Sequence, residues 1–565
     1  MSLARRPPPW AHALVAALLA WAAQAQRGPG TLPLTLDNQH YYFVAERAAS
    51  GVPPHLSHFD SKHALSMLVT GAAIRAGRAL GVGDVPASRA VSMLAVALAA
   101  ALLWALTFEL TGHLLAAWLA VLVLLAFDGF LFMGAMGSRP KVFLVPFAAG
   151  TGLAVARGRP FVAGLAGSGA FLCWQPALLV LAAAVPPFLL GPRGLRALAA
   201  LGLGTALAVA TYHLGFLAVG ALPELVEQTY RFTGRYMAAE PRDVGSQVIP
   251  FLRLAAGPSR QALFMIAFAG VLAGCLAVAL ARPRALLSRT GRAPGLTFVV
   301  LAALATTAFT LYDYGTFVDG FLVLPFVAVL VGFGLDRALG RAAEAAGPAR
   351  SRAARRVGGA LLLAAAIALA LPPAGRRPVG PTLADQQSLG AEIRAWRDAG
   401  HSIWAVGCTH LLAFAHTDNH VRYGFFFRGM GPYLRERAGD EGWRPLRDGR
   451  MPDVILVSRP FTGSVPEARR WLADEYREDT PGAFRRQGVR VWWRRDAGAG
   501  AKGESSATAD ATPQATARAN SAWPRAVKWP SKRQCRSDQL PPSSASRVRI
   551  AGSGSITRIP GEPPR

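Results

Sequence analysis

A chain of 565 residues that is 52% hydrophobic, with mean hydropathy +0.29 and net charge +27, is either several soluble domains or one polytopic membrane domain with appendages. Repeated apolar runs of about 17 to 25 residues select the membrane, because a soluble core helix rarely needs that length without a polar face. The arginines sit in short loops between those runs, a placement that reports topology and excludes nucleic acid as the partner suggested by charge alone.

The first run, SLARRPPPWAHALVAALLAWAAQAQ, has a basic start and a small-residue end, so a cleaved signal peptide competes with a retained first span, and the retained span is preferred. Spans are expected at about 9–26, 89–108, 113–130, 140–156, 160–173, 176–191, 196–220, 261–281, 295–312, 317–338 and 356–373, ten to eleven in a domain covering 1–375. The short pair 160–173 and 176–191 reads as a broken hairpin meeting at Cys173-Trp174-Gln175-Pro176. Basic clusters at Arg5 and Arg6, Arg157 and Arg159, Arg193 and Arg196, Arg282 to Arg292 and Arg337 to Arg356 all fall on one side of this alternation. The positive-inside rule makes that side cytoplasmic. It turns loops 27–88, 131–139 and 221–260, the Tyr312 to Thr316 turn and everything after about 374 outward.

Residues 380–496 change character and are expected to form a small extracytoplasmic α/β domain with a partly parallel sheet. Its helices fall at Ala384 to Ala399, His410 to His416 and Pro466 to Tyr476, its strands at Ser402 to Gly407, Pro452 to Ser458 and Val489 to Trp493. From about Ala497 periodicity ends, and 497–565 is expected to be a disordered basic tail. Cys173, Cys275, Cys408 and Cys535 show neither metal-ligand spacing nor a disulfide framework.

The polar insert Thr35 to Ala79 carries Asp37, His40, Glu46, His55, His58, Asp60, Lys62 and His63 between apolar segments. Polar groups held against a membrane are functional by default, so the search for a site starts there. Asp37 precedes His40-Tyr41-Tyr42-Phe43 and can accept the proton of an attacking hydroxyl. Equally, Asp37 or Asn38 can cap a helix over Gln39 to Ala49, and both roles stand together. Gly51-Val52-Pro53-Pro54 turns the chain, and Leu65, Leu68, Val69, Ala72 and Ala76, with Arg78 opposite, mark a second, interfacial helix. The four histidines at 40, 55, 58 and 63 do not place three on one helix face, so no metal cofactor is expected.

An early acid with aromatics, a glycine-proline turn and then Asp60-Ser61-Lys62-His63-Ala64-Leu65 resembles the first outward loop of the C-superfamily membrane glycosyltransferases. The likeness is nearest to the group of polyprenyl- and dolichyl-phosphate-mannose mannosyltransferases. It continues through Asp128-Gly129-Phe130, Gly137-Ser138-Arg139-Pro140-Lys141 and the hairpin at Trp174-Gln175-Pro176, where relatives often carry lysine in place of Gln175. It covers roughly 9–340, and departs from the family at Asn38, where a second acid is usual, and at Lys62 to Leu65, where His-Pro-Pro-Leu is usual. The resemblance implies an α-helical polytopic membrane enzyme of the plasma (inner) membrane, moving a mannose-like hexose from a polyprenyl-phosphate donor to a glycan, lipid or protein acceptor outside, with Asp37 as base.

Displacing a polyprenyl phosphate leaves negative charge that needs cations, and Arg139, Lys141 and Lys62 are the candidates. Arg139 and Lys141 could instead snorkel to lipid headgroups. Substrate contacts are expected from His40, Tyr41, His58, Asp60, Arg231, Arg235 and Asp313, with Arg231 and Arg235 on one helical face and Asp319 as a cap of the span it begins. The competing readings are a lipid-carrier or solute transporter and a non-enzymatic envelope assembly protein.

Overall fold

A computed structural model of the chain describes residues 8–35, 37–237, 293–313, 317–345, 357–360, 364, 382–426, 429–438, 451–458 and 467–495. The expected span 261–281, most of 356–373, the second half of loop 221–260 and the tail 497–565 lie outside these residues.

The apolar runs fold as helices, and prolines start several of them at the first turn, where the missing N–H costs nothing. In chain order they are α1 (Pro9–Ala25), α2 (Asn38–Ala49), α3 (Leu65–Ala79), α4 (Asp84–Thr111), α5 (Leu114–Ala126), α6 (Asp128–Met136), α7 (Pro140–Ala156), α8 (Pro160–Cys173), α9 (Leu178–Leu189), α10 (Gly194–Ala218), α11 (Ala293–Tyr312) and α12 (Leu324–Ala345). Three of them, α4, α10 and α11, are long and apolar enough to cross a membrane alone, and α5 with α6 forms a fourth candidate bent by 65°. The chain is a multi-pass membrane protein.

Two span expectations need correction. The run 113–130 is not straight, because Phe127 leaves helical geometry (φ −80°, ψ 82°) and starts α6 in a new direction. The run 317–338 opens with a tight 3₁₀ turn, Phe317–Leu322, before α12 begins. Helices α8 and α9 are separate pieces joined by a short 3₁₀ turn over Gln175–Ala177 and packed on each other.

Helix α4 is the hub of the bundle, packing on α1, α3, α5, α6, α7 and α12 around Trp104, Phe130, Phe298 and Phe321, all fully buried. Above this core, α2 and α3 lie against each other. The apolar stripe of α3 faces away from its packed side: Ser66, Met67, Thr70, Gly71, Ile74 and Gly77 are buried, while Leu65, Leu68 and Val69 are half-buried and Ala72 and Ala76 exposed. Small residues win that face because α2 comes too close for larger ones. A Cβ on Gly71 would stand 2.8 Å from the Ala45 carbonyl oxygen. Gly71→Ala is therefore expected to cost about 1–3 kcal/mol, read as a lowered melting temperature by differential scanning fluorimetry in detergent.

The carboxyl-terminal module has helices α13 (Leu383–Asp398), α14 (His410–Ala415), α15 (Met430–Ala438), α16 (Glu467–Glu475) and α17 (Gly482–Arg486). Its strands are β1 (Ile403–Val406), β2 (Val454–Val457), β3 (Tyr476–Glu478) and β4 (Arg490–Arg494), in the order β1-β2-β4-β3. β1 pairs with β2 in parallel (Ile403 with Val454), and β4 pairs antiparallel with both β2 and β3. Helix α16 stops at Glu475, one residue short of the predicted end, since Tyr476 opens β3.

The strands' period of two divides the sheet between two cores. Ile403, Ala405, Val454 and Leu456 join a core shared with α2 and α3, whereas Trp404, Val406 and Ile455 meet Phe59, Phe232 and Tyr433. Helices and sheet belong to one compact unit, Met1–Lys502, and α2 is the element sandwiched between them.

Candidate active site

The segment that leads into α2 is held from both sides. Arg27 reaches Asp128 at 2.5 Å, and the buried Arg89 donates to the carbonyls of Pro29 and Leu32. From the sheet module, the Gln386 amide accepts the Leu34 N–H at 2.8 Å and donates to the Leu34 carbonyl at 2.9 Å. Asp37 follows, at the N-cap position of α2, with helical backbone angles (φ −70°, ψ −14°) and no side-chain capping bond. Its carboxylate instead accepts from Arg139 Nη2 at 3.1 Å, and Asn38 Oδ1 accepts from Arg139 Nη1 at 3.4 Å. Of the two roles read from sequence, capping by the side chain is not realised.

Arg139 is placed by an unusual turn. Gly137 and Ser138 both take positive φ (91° and 52°), Ser138 is tied to Ser88 at 2.6 Å, and Pro140 then starts α7. A Cβ at Gly137 would press on Arg89 Cγ at 3.2 Å. Arg139 is 5% exposed, so it is an interior partner of Asp37 and not a headgroup anchor. Lys141, two residues on, pairs with Asp319 and lies 4.0 Å from the Trp174 ring centroid.

Opposite them stands the corner between α2 and α3, pinned at nearly every peptide. The Phe59 N–H donates to the Arg422 carbonyl (2.9 Å), the Asp60 N–H to Gln228 Oε1 (3.0 Å) and the Ala64 N–H to the Tyr212 hydroxyl (2.8 Å). The Ser61 carbonyl accepts from Gln175 Nε2 (2.5 Å) and the Thr233 hydroxyl (3.3 Å). Asp60 Oδ1 accepts the Lys62 N–H at 3.1 Å, an Asx turn, while Oδ2 meets His40 Nε2 at 3.0 Å and His40 Nδ1 meets His58 Nε2 at 2.6 Å. The half-buried Lys62 ammonium lies 5.3 Å from the Tyr41 ring centroid. Among the described residues it is the cation of the cluster with no carboxylate in salt-bridge range, Arg139 having Asp37 and Lys141 having Asp319.

The electrostatics tie these groups into one site. Burial would raise the Asp60 carboxyl, but His40, Lys62 and His58 together hold it well below the usual carboxylate range. Burial opposes the charge on Lys62, and Tyr41, Asp60 and Asp37 outweigh it, keeping the ammonium above the ordinary lysine range. The Tyr41 phenol is pushed up to about 12, by burial first and then by Asp37 and Asp60 against Lys62 and Arg139. His58 is driven well below its ordinary value by burial and by His40. Lys141 is coupled to both Lys62 and Arg139.

No family model and no curated protein matches the chain. Among solved structures, it is similar to ArnT from Cupriavidus metallidurans in two states. The structure bound to undecaprenyl phosphate matches at TM-score 0.52 and 14% identity, over 86% of this chain and 97% of that one. The apo structure matches at TM-score 0.50 and 15% identity over the same shares, 86% and 97%. The chain shares its fold with that protein.

Within this fold the structure gathers Asp37, His40, Tyr41, His58, Asp60, Lys62, Arg139 and Lys141 at one end of the bundle, beneath the sheet module. Arg231 and Arg235 are not brought in. Their segment winds as π-helix (Val226–Arg231 and Thr233–Met237), and the two side chains are 75% and 68% exposed, paired with Glu227 and Glu436. Asp313 follows the last residue of α11, half-buried, its N–H donating to the Phe309 carbonyl. Asp319 does not begin α12 but sits in the 3₁₀ turn before it and joins the cluster through Lys141.

Sequence reasoning missed Asp319 as the Lys141 partner, Trp174 as the ring beneath that lysine, and Gln175 and Gln228 as backbone clamps. Amides carry no periodic signal, so only the break at Trp174-Gln175-Pro176 pointed toward them. The chain holds one group with metal-ligand spacing among the described residues, Glu46, Asp84 and His416, away from Asp37 at the far end of α2. There the Arg78 guanidinium already bridges the two carboxylates, at 2.8 Å and 2.6 Å. Of the remaining insert histidines, His55 bonds Gln228 at 3.1 Å, and His63 packs its ring among Phe171, Tyr212 and Tyr230, pulled down to about 3 by burial and by His55 and His213.

Proposed function

We propose that this protein transfers a sugar, a mannose-like hexose, from a polyprenyl-phosphate carrier to the hydroxyl of a glycan, lipid or protein acceptor. The observation that carries the proposal is the juxtaposition of the Asp37–Arg139 pair at 3.1 Å with Lys62, which has no carboxylate in salt-bridge range among the described residues. Asp37 accepts the proton of the acceptor hydroxyl as its oxygen bonds the anomeric carbon. The bond from that carbon to the phosphate oxygen breaks, and the electron pair leaves with the polyprenyl phosphate. Lys62, with Arg139 and Lys141 behind it, meets the charge that develops there. The shared fold with a protein whose structure holds undecaprenyl phosphate supports this donor class. The five basic clusters support a cytoplasmic amino terminus in the inner (plasma) membrane, with the reaction and the sheet module on the extracytoplasmic side.

The test is release of undecaprenyl phosphate, measured by mass spectrometry, when the detergent-purified full chain meets undecaprenyl-phosphate-mannose and a membrane extract that supplies the acceptor. Lys62→Met is expected to raise the KM for this donor about 10- to 100-fold, the value of one charge-assisted contact. Wild-type protein that moves the lipid or a solute across vesicles without breaking the sugar–phosphate bond would overturn the proposal.

A further inference from the structure

Lys62 is the cation with the fewest fixed contacts in the cluster, yet the corner that presents it is the most heavily clamped stretch of backbone in the insert. Its neighbours at 59, 60, 61 and 64 are held by Arg422, Gln228, Gln175 with Thr233, and Tyr212. The N–H of Lys62 itself has one acceptor among the described residues, Asp60 Oδ1 at 3.1 Å. The direction in which Lys62 leaves the chain therefore depends on where that carboxylate stands. The carboxylate is in turn fixed by His40, whose Nε2 lies 3.0 Å from Oδ2 and whose other nitrogen is braced by His58 at 2.6 Å. His40 stands three residues after Asp37, on the first turn of α2, so the same turn that carries Asp37 also sets Asp60.

We infer that Asp60 and His40 are positioning residues that aim Lys62 at the phosphate of the lipid carrier, an inference that rests on the function proposed above. Neither acts on the sugar. Asp60 acts through the Lys62 peptide, and His40 acts through Asp60.

The inference separates two effects of opposite sign. A carboxylate this close to Lys62 weakens anion binding by charge alone, so a bare counter-ion would give tighter binding whenever it is removed. A positioning group gives looser binding when its hydrogen bonds are lost, because misplacing a contact by an ångström is costly. Asp60→Asn keeps both bonds. The amide oxygen still accepts the Lys62 N–H, and the amide N–H donates to His40 Nε2 once the imidazole moves its proton to Nδ1, where His58 Nε2 accepts it. Asp60→Ala keeps neither. In the same way His40→Gln places an N–H near the old Nε2 position, and His40→Ala does not.

The experiment is titration of the purified full chain with undecaprenyl phosphate by native mass spectrometry, with the melting temperature of each variant measured alongside. Asp60→Ala and His40→Ala are expected to weaken binding about 10-fold, while Asp60→Asn and His40→Gln bind as tightly as wild type or tighter. Asp60→Ala binding as well as Asp60→Asn, or better than wild type, would overturn the inference and leave the proposed function standing. Equal loss in both members of each pair would overturn it too, since that marks a generally damaged corner. If Asp60→Ala does not fold, the His40 pair decides by the same rule. Wild-type protein with no affinity for undecaprenyl phosphate would sink the proposed function, and this inference with it.

Discussion

Asp37→Asn is expected to lower the rate of sugar transfer by about 10²- to 10⁴-fold, the share that a positioned general base supplies. The amide oxygen can still accept from Arg139 Nη2, as the carboxylate now does at 3.1 Å, so the buried guanidinium keeps a partner. Because the side chain makes no capping bond to α2, the helix loses nothing at its start. Arg139 nevertheless loses its counter-ion, so the melting temperature should fall, by less than for a fully buried pair because Asp37 is 34% exposed. The KM for the lipid-linked donor should stay near wild type while kcat falls. That split decides between the two uses of an ion pair. A pair kept for stability alone would show a lower melting temperature with the rate retained, and a full rate with unchanged folding removes Asp37 from the chemistry. Arg139→Lys is a sharper companion: a lysine cannot span Asp37 and Asn38 together, the two acceptors that the guanidinium fork now holds.

How much of this was legible before any coordinates depended on the kind of signal each residue carries. The helices were readable because long apolar runs have few alternatives in a bilayer, and Pro9, Pro140 and Pro160 mark where they begin. β1, β2 and β4 were readable as short apolar runs between polar stretches, but β3, with the sequence Tyr-Arg-Glu, has nothing to distinguish it from the helix before it. Asp37 and Lys62 stood out because a charge beside a membrane is costly and asks for a reason. So did Arg139 and Lys141, but which carboxylate each would meet did not. Arg139 lies 102 positions from Asp37, and Asp319 lies 178 positions from Lys141, and no periodicity links residues so far apart. Arg231 and Arg235 show a different limit, since a spacing of four places two residues on one face but does not say which way that face turns, and both side chains are exposed. The inward face of α3 was not legible, because its small residues are selected by the close approach of α2, which leaves no mark in the sequence.

The polar cluster at the far end of α2 yields the largest stability effect. Glu46 is fully buried, and it faces Arg78 of α3 at 2.8 Å, His416 of the sheet module at 3.1 Å, Ser50 at 3.0 Å and Arg47 at 3.7 Å. Arg78 continues to Asp84 of α4, and Arg47 to Asp418, so one carboxylate joins α2, α3, α4 and the sheet module. Burial works against its charge, yet the hydrogen bonds from His416 and Arg78, the nearby Arg47 charge and the Ser50 hydroxyl hold it below its ordinary value of 4.5. Replacing it with glutamine removes the charge but not the shape, and leaves Arg47, itself buried, short of a counter-ion. Glu46→Gln is expected to cost about 3 kcal/mol at neutral pH, at the lower end for breaking a buried pair because Asp84 and Asp418 remain. The pH dependence has a definite sign. A carboxyl lowered on folding contributes stability that is fully present above its unfolded value and lost as pH falls through the folded one. Wild-type melting temperature should therefore decline below about pH 4.5 more steeply than that of Glu46→Gln, and the gap between them should narrow there. Parallel curves for the two proteins from pH 7 down to acid would show that the Glu46 charge does not hold the sheet module to α2.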